Sequence, residues 1–89
     1  VPTQPLLAAP TNGSTGVART GSLSWDVVPD AATYNLYLTY GTAAEKKIPT
    51  LANSYNFSGN AGETVSWKVE AVDAAGNTSA VSSTWTFTI

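Results

Sequence analysis

The sequence predicts an all-β fold, an antiparallel sandwich of two sheets built from about seven short strands. Three observations predict it. Apolar and polar residues alternate with period two through four segments of the chain. Clusters of Gly, Pro, Asn, Asp and Ser separate those segments. No stretch carries a helical pattern long enough to nucleate a helix. Residues 43–47 have helical propensity, but Gly41 and Pro49 enclose them too tightly.

Each element follows from its own residues. Residues 5–8 suit an edge strand, where Pro5 does least harm to pairing. A loop over 12–16 leads to a short continuation at 17–20. Leu23 and Trp25 then alternate with Ser22, Ser24 and Asp26, giving a strand with one buried face. Val28-Pro29-Asp30 turns the chain. Tyr34, Leu36, Leu38 and Tyr40 alternate with Asn35, Tyr37 and Thr39. Residues 43–48 form an edge strand whose Glu45, Lys46 and Lys47 discourage pairing with neighbours. A short strand at 54–57 puts Tyr55 and Phe57 on one face, and residues 58–62 make the next loop.

The last third repeats the pattern more strongly. Val65, Trp67, Val69 and Ala71 face one way, Ser66, Lys68 and Glu70 the other. Residues 73–77 form a turn in which Gly76 and Asn77 tolerate positive φ. Trp85, Phe87 and Ile89 alternate with Thr84, Thr86 and Thr88, all aromatic or β-branched. The predicted core is therefore Leu23, Trp25, Tyr34, Leu36, Leu38, Val65, Trp67, Val69, Ala71, Trp85 and Phe87. Residues 1–4 are expected to be a flexible lead and 5–89 a single domain.

Composition narrows the chemistry. The 89 residues contain no His, Cys or Met, and charged residues make up 11%, against a usual level of about 25%. Without Cys there is no disulfide, thiol nucleophile or thiolate metal site. Without His the commonest general base and transition-metal ligand are missing. Four scattered Lys/Arg against six Asp/Glu make no basic face for nucleic acid. No apolar run reaches the roughly 18 residues of a helical membrane span, and no signal peptide is visible. A chain opening on Val1, with no Met, is expected to be a piece of something longer.

The residues from Gly62 through Val65-Ser66-Trp67-Lys68-Val69-Glu70-Ala71-Val72-Asp73 to Gly76-Asn77-Thr78-Ser79 resemble the sixth strand and following loop of bacterial fibronectin type III-like domains. Leu23-Ser24-Trp25-Asp26, with Pro29 after it, and Ala32-Thr33-Tyr34-Asn35-Leu36-Tyr37-Leu38 resemble the second and third strands. The resemblance spans nearly the whole chain and implies an immunoglobulin-like sandwich. It makes Trp25 the core tryptophan of the second strand and Tyr34 the tyrosine packed near it. The family often has a tyrosine at the start of the sixth strand, tying down the preceding corner. Val65 stands there, so the corner is expected to be held by 59–62 alone.

Such domains occur in tandem in secreted or surface proteins, as spacers, adhesion modules or accessories to carbohydrate-active enzymes. The resemblance thus implies a non-catalytic module, with neighbouring domains, another protein or a polysaccharide as partners and no cofactor. The alternative is a carbohydrate-binding accessory module. Sugars stack on exposed aromatic rings, and the rings not committed inward by alternation are Tyr37, with Tyr40 and Tyr55 ambiguous. The candidate interaction loops carry Pro29 and Asp30, Gly59 and Asn60, and Gly76 and Asn77. The six acids are scattered over loops and strand ends, which suits solvated surface groups rather than a paired catalytic site. The turn from Asp73 lacks the acid spacing of a calcium loop.

Overall fold

The alternation resolves into seven strands: β1 (Leu7–Ala9), β2 (Thr20–Trp25), β3 (Thr33–Tyr40), β4 (Lys46–Thr50), β5 (Ser54–Ser58), β6 (Thr64–Val72) and β7 (Trp85–Thr88). The structure is a computed structural model and describes residues 2–89. A three-stranded sheet has the order β1-β2-β5 and a four-stranded sheet the order β4-β3-β6-β7, every pair antiparallel. The long pair β3–β6 forms the centre, with Tyr34 opposite Ala71, Leu36 opposite Val69 and Leu38 opposite Trp67. Partners in register share a face, so this pairing lines one side of the sheet with apolar residues.

The core lies between the sheets. Trp25 meets Tyr34 edge-on, with ring centroids 5.7 Å apart, and Trp67 at 6.3 Å. Phe57 and Phe87 close the other end of the core at 5.1 Å. Val28, Phe57 and Ile89 join the buried cluster beyond the residues predicted for it. Trp85 differs from expectation. It faces Trp67 in register and packs on it at 6.2 Å, but it is only half-buried. The exposure is local, since Phe87 on the same strand is fully buried: Trp85 opens β7 and lines a cleft beside Pro5, Leu7, Ser82 and Ser83.

The edges are closed in different ways. Residues 12–17 cross from the three-stranded sheet and run beside β7. Gly13 N–H donates to Thr86 O (2.7 Å), Thr88 N–H to Ser14 O (2.8 Å) and Val17 N–H to Thr88 O (3.1 Å). On the opposite edge, β4 includes Pro49 instead of stopping before it. A proline fits there because β4 pairs only with β3 and one side of its backbone is free.

Strand directions define two poles along a molecule 40 Å long and about half as wide, with extents of 40 × 22 × 19 Å. At the N-terminal pole Asp26 N–H donates to Leu6 O, Trp25 N–H to Asn53 O and Ala32 N–H to Val72 O. At the C-terminal pole Gly59 N–H donates to Arg19 O, Gly41 N–H to Thr64 O and Gly62 N–H to Ile89 O. Of the expected flexible lead, Val1 lies outside the described residues. Pro2 is buried, and Gln4 Nε2 donates to Val81 O at 2.6 Å.

Candidate interaction surfaces

The tyrosines divide between the faces of β3. Tyr37 points away from the core, on the outer face of the four-stranded sheet. Its hydroxyl donates to Glu70 Oε1 at 2.8 Å, and Asn35 Nδ2 donates to the same oxygen at 2.9 Å. That bond to the carboxylate, together with burial and the nearby charges of Glu70 and Glu45, pushes the Tyr37 hydroxyl above its ordinary value. Lys68 Nζ lies 5.7 Å from the Tyr37 ring centre and pairs with Glu45 at 3.6 Å. The ring is thus held in a polar network on its own sheet.

Tyr40 lies three residues on and faces the other way, at the C-terminal pole. Burial pushes its hydroxyl up, as do Tyr55 and Glu63, while a backbone hydrogen bond from Ser58 opposes them. Lys46 Nζ stands 5.9 Å over its ring. Tyr55, opposite Leu23 in the β2–β5 pair, packs half-buried against the core. The structure therefore brings Tyr40 and Tyr55 together and sets Tyr37 apart from both.

The candidate loops also divide. Pro29 and Asp30 lie in the β2–β3 connection and Gly76 and Asn77 in the β6–β7 connection, both at the N-terminal pole. Gly59 and Asn60 lie in the β5–β6 connection at the C-terminal pole. The turn after β6 is organised by Asp73. Its Oδ1 accepts from Ala75 N–H at 3.0 Å and Asn77 N–H at 2.8 Å. The bond from the Asn77 backbone is the main reason its carboxyl sits below the ordinary value. Gly76 has φ +88°, which a side chain would strain.

The corner before β6 is not held by 59–62 alone. Glu63 and Asn60 bond reciprocally, Glu63 N–H to Asn60 O at 3.1 Å and Asn60 N–H to Glu63 Oε1 at 3.4 Å. Ile89 N–H donates to Glu63 O at 2.9 Å, which locks the corner to the end of β7. Gly59 is required by close approach, since a Cβ there would collide with Ile89 Cδ1. A tyrosine tie does exist at the other end of the molecule. Val28 N–H donates to the buried Tyr34 hydroxyl at 2.9 Å and fixes the β2–β3 loop.

Sequence reasoning missed Ser79 and Ser82. Both are buried, and their hydroxyls accept from Ala71 N–H and Val69 N–H at 2.9 Å. Their only signal is a pair of serines three apart after a strong strand. Among the described residues no group of three Asp or Glu side chains gathers as a metal site would require. The acids sit apart: Asp26, Asp30 and Asp73 in the loops of one pole, Glu63 at the other, and Glu45 and Glu70 at the outer face of the four-stranded sheet.

No family model and no curated relative matches the sequence. Solved structures do match. A β-1,2-glucanase from Parabacteroides distasonis superposes with a TM-score of 0.73 at 24% identity, over 99% of this chain and 12% of that one. A myokine superposes with a TM-score of 0.73 at 17% identity, over 99% of this chain and 97% of that one. An Fn3-like protein from Clostridium thermocellum gives 0.63 at 22% identity, over 97% and 88%. This chain thus spans a small part of the glucanase and most of the other two. Two antiparallel sheets in the orders β1-β2-β5 and β4-β3-β6-β7, with these matches, establish the architecture: the chain folds as a fibronectin type III-like domain, an immunoglobulin-like β-sandwich.

Proposed function

We propose that this chain is a non-catalytic module that spaces and orients neighbouring domains of a larger secreted or cell-surface protein. The observation that carries this reading is the placement of its two ends. Residues 2–6 lie at one pole and Ile89 at the other, along the 40 Å axis. Domains joined at the two ends would be held apart by a rigid body. The match to a 12% portion of a glucanase supports a role as one module among several. The scattered acids and the aromatic rings committed to packing support a role without catalysis.

The alternative of sugar binding at Tyr37 has less support. Its ring is occupied by Lys68 and its hydroxyl by Glu70, and Tyr40 and Tyr55 do not extend it into a row.

The chain has no cysteine, so spin labels can be placed at will. Thr3→Cys and Ala61→Cys put one label at each pole on exposed residues. Double electron–electron resonance should give one narrow distance distribution, comparable to the long axis. A broad distribution, like that of a flexible linker, would remove the basis for the spacer reading.

A further inference from the structure

Three shallow depressions share lining residues and form one continuous trough. The central one, about 740 Å³, is lined by Arg19, Tyr40, Lys46, Asn60 and Glu63, with Thr20 and Ser58 at its side. Through Thr20 and Ser58 it joins a second, about 480 Å³, which follows the β2–β5 pair past Ser22 and Asn56. Through Tyr40 and Glu63 it joins a third, about 690 Å³, which reaches Gly62 and Thr64 across the C-terminal pole.

The charge in this trough is unbalanced. Two of the chain's four cations, Arg19 and Lys46, line its centre. Among the described residues neither forms an ion pair, and the pair found there joins Lys68 to Glu45. Arg19, exposed at the rim, donates through Nε to Gly59 O in a long contact of 3.5 Å. Lys46 stands over the Tyr40 ring. The lining acid, Glu63, turns Oε1 to Asn60 N–H. The walls are otherwise mostly hydroxyls, amides and glycine backbone, with Ala43 and Phe57 among them.

We propose that this trough binds an acidic polysaccharide. Uronate carboxylates would reach Arg19 and Lys46, and sugar hydroxyls the walls beside them, while the Tyr40 ring stays beneath Lys46. A carboxylate is an anion that such cations recognise, and Arg can grip it through two N–H groups. The hydroxyl and amide walls complement sugar hydroxyls. The trough is extended and lacks an apolar pocket of the kind that seats peptide side chains, which favours a polyhydroxylated chain over an acidic peptide.

The test is affinity electrophoresis of the chain through gels containing polygalacturonate, with a neutral β-glucan gel beside it. Migration should slow in polygalacturonate alone, and the delay should vanish at about 0.5 M salt, where exposed charges are screened. Arg19→Gln/Lys46→Gln should abolish the delay. Lys47→Gln/Lys68→Gln, with the same net charge, should keep it. All four side chains lie outside the core, and thermal melts would verify that both variants fold. No delay for the unaltered chain, equal loss in both variants, or equal delay in neutral glucan would each overturn the proposal. So would displacement by a polyglutamate peptide as effective as by oligogalacturonate, which would point to a protein partner. The spacer reading is separate, because it rests on the pole-to-pole distance.

Discussion

Tyr34 does two jobs with one side chain. Its ring packs edge-on to Trp25, and its hydroxyl accepts the Val28 amide, which would otherwise be a buried donor without a partner. Tyr34→Phe keeps the ring and removes the acceptor. It should cost about 1–3 kcal/mol in a urea melt, while Tyr55→Phe, at a half-buried site, should cost less. Equal midpoints for the two variants would refute the tie. Asp73 makes a prediction in pH. Its folded pKa lies below the ordinary 3.8, so its bonds stabilise the fold above that value and are lost as pH falls through the folded pKa. Asp73→Ala should lower Tm at neutral pH and flatten the fall in Tm toward about pH 3. An unchanged acid slope would contradict this. The Asp73 turn was legible in sequence because Asp, Gly and Asn act locally. The Tyr34 tie was not, because its partner is a backbone amide placed by the loop's path.

Strand β6 shows how an element is completed by something other than a strand. Its first half pairs with β7, from Thr64 opposite Thr88 to Trp67 opposite Trp85. Beyond that, Ser82 N–H donates to Val69 O and Ser79 N–H to Ala71 O, both at 2.8 Å. The two hydroxyls accept in return, so each serine replaces a strand residue by using its side chain as the carbonyl. Ser82→Ala would leave the buried Val69 N–H without an acceptor and should cost about 1–3 kcal/mol. Ser83→Ala, at an exposed neighbour, is the matched control, and equal losses would disprove the hydroxyl's role. Alternation made β6 plain from Val65 to Ala71, yet gave no hint of this neighbour. Residues 78–84 have no period-two pattern, and what pairs them is tertiary. The same limit applies to β4, where the sequence places a strand but not its passage through Pro49.

At the scale of the molecule, the sandwich was legible because four strands carry most of the core and each declares its buried face. Trp85 packs on the core from the expected face but stays half-buried, because alternation reports a direction and not how completely the neighbours cover a ring. The centre has a cost of its own: the Trp25 and Trp67 indole N–H groups are buried and meet no acceptor among the described residues. Ring burial must outweigh that. Trp25→Ala should still lose about 3–5 kcal/mol, since the cavity term dominates when so large a buried ring is removed. A loss below about 1 kcal/mol in denaturant would show that the site collapses or that Trp25 is not central. The candidate tyrosines were named from their types and faces. Their separation, and the gathering of Arg19, Tyr40 and Lys46 at one pole, depend on which loops meet and could not be read along the chain.

The strip formed by residues 12–17 beside β7 gives the domain a mechanical character. Ser14 and Phe87 pair in parallel, so the early and final segments of the chain lie side by side and run in the same direction. Tension between residues 2–6 and Ile89 would drag these two segments past one another. Their hydrogen bonds lie across the line of pull, and are loaded together instead of peeling apart in turn. The domain should yield abruptly and at high force, with its first failure at the Gly13–Thr86, Ser14–Thr88 and Val17–Thr88 bonds.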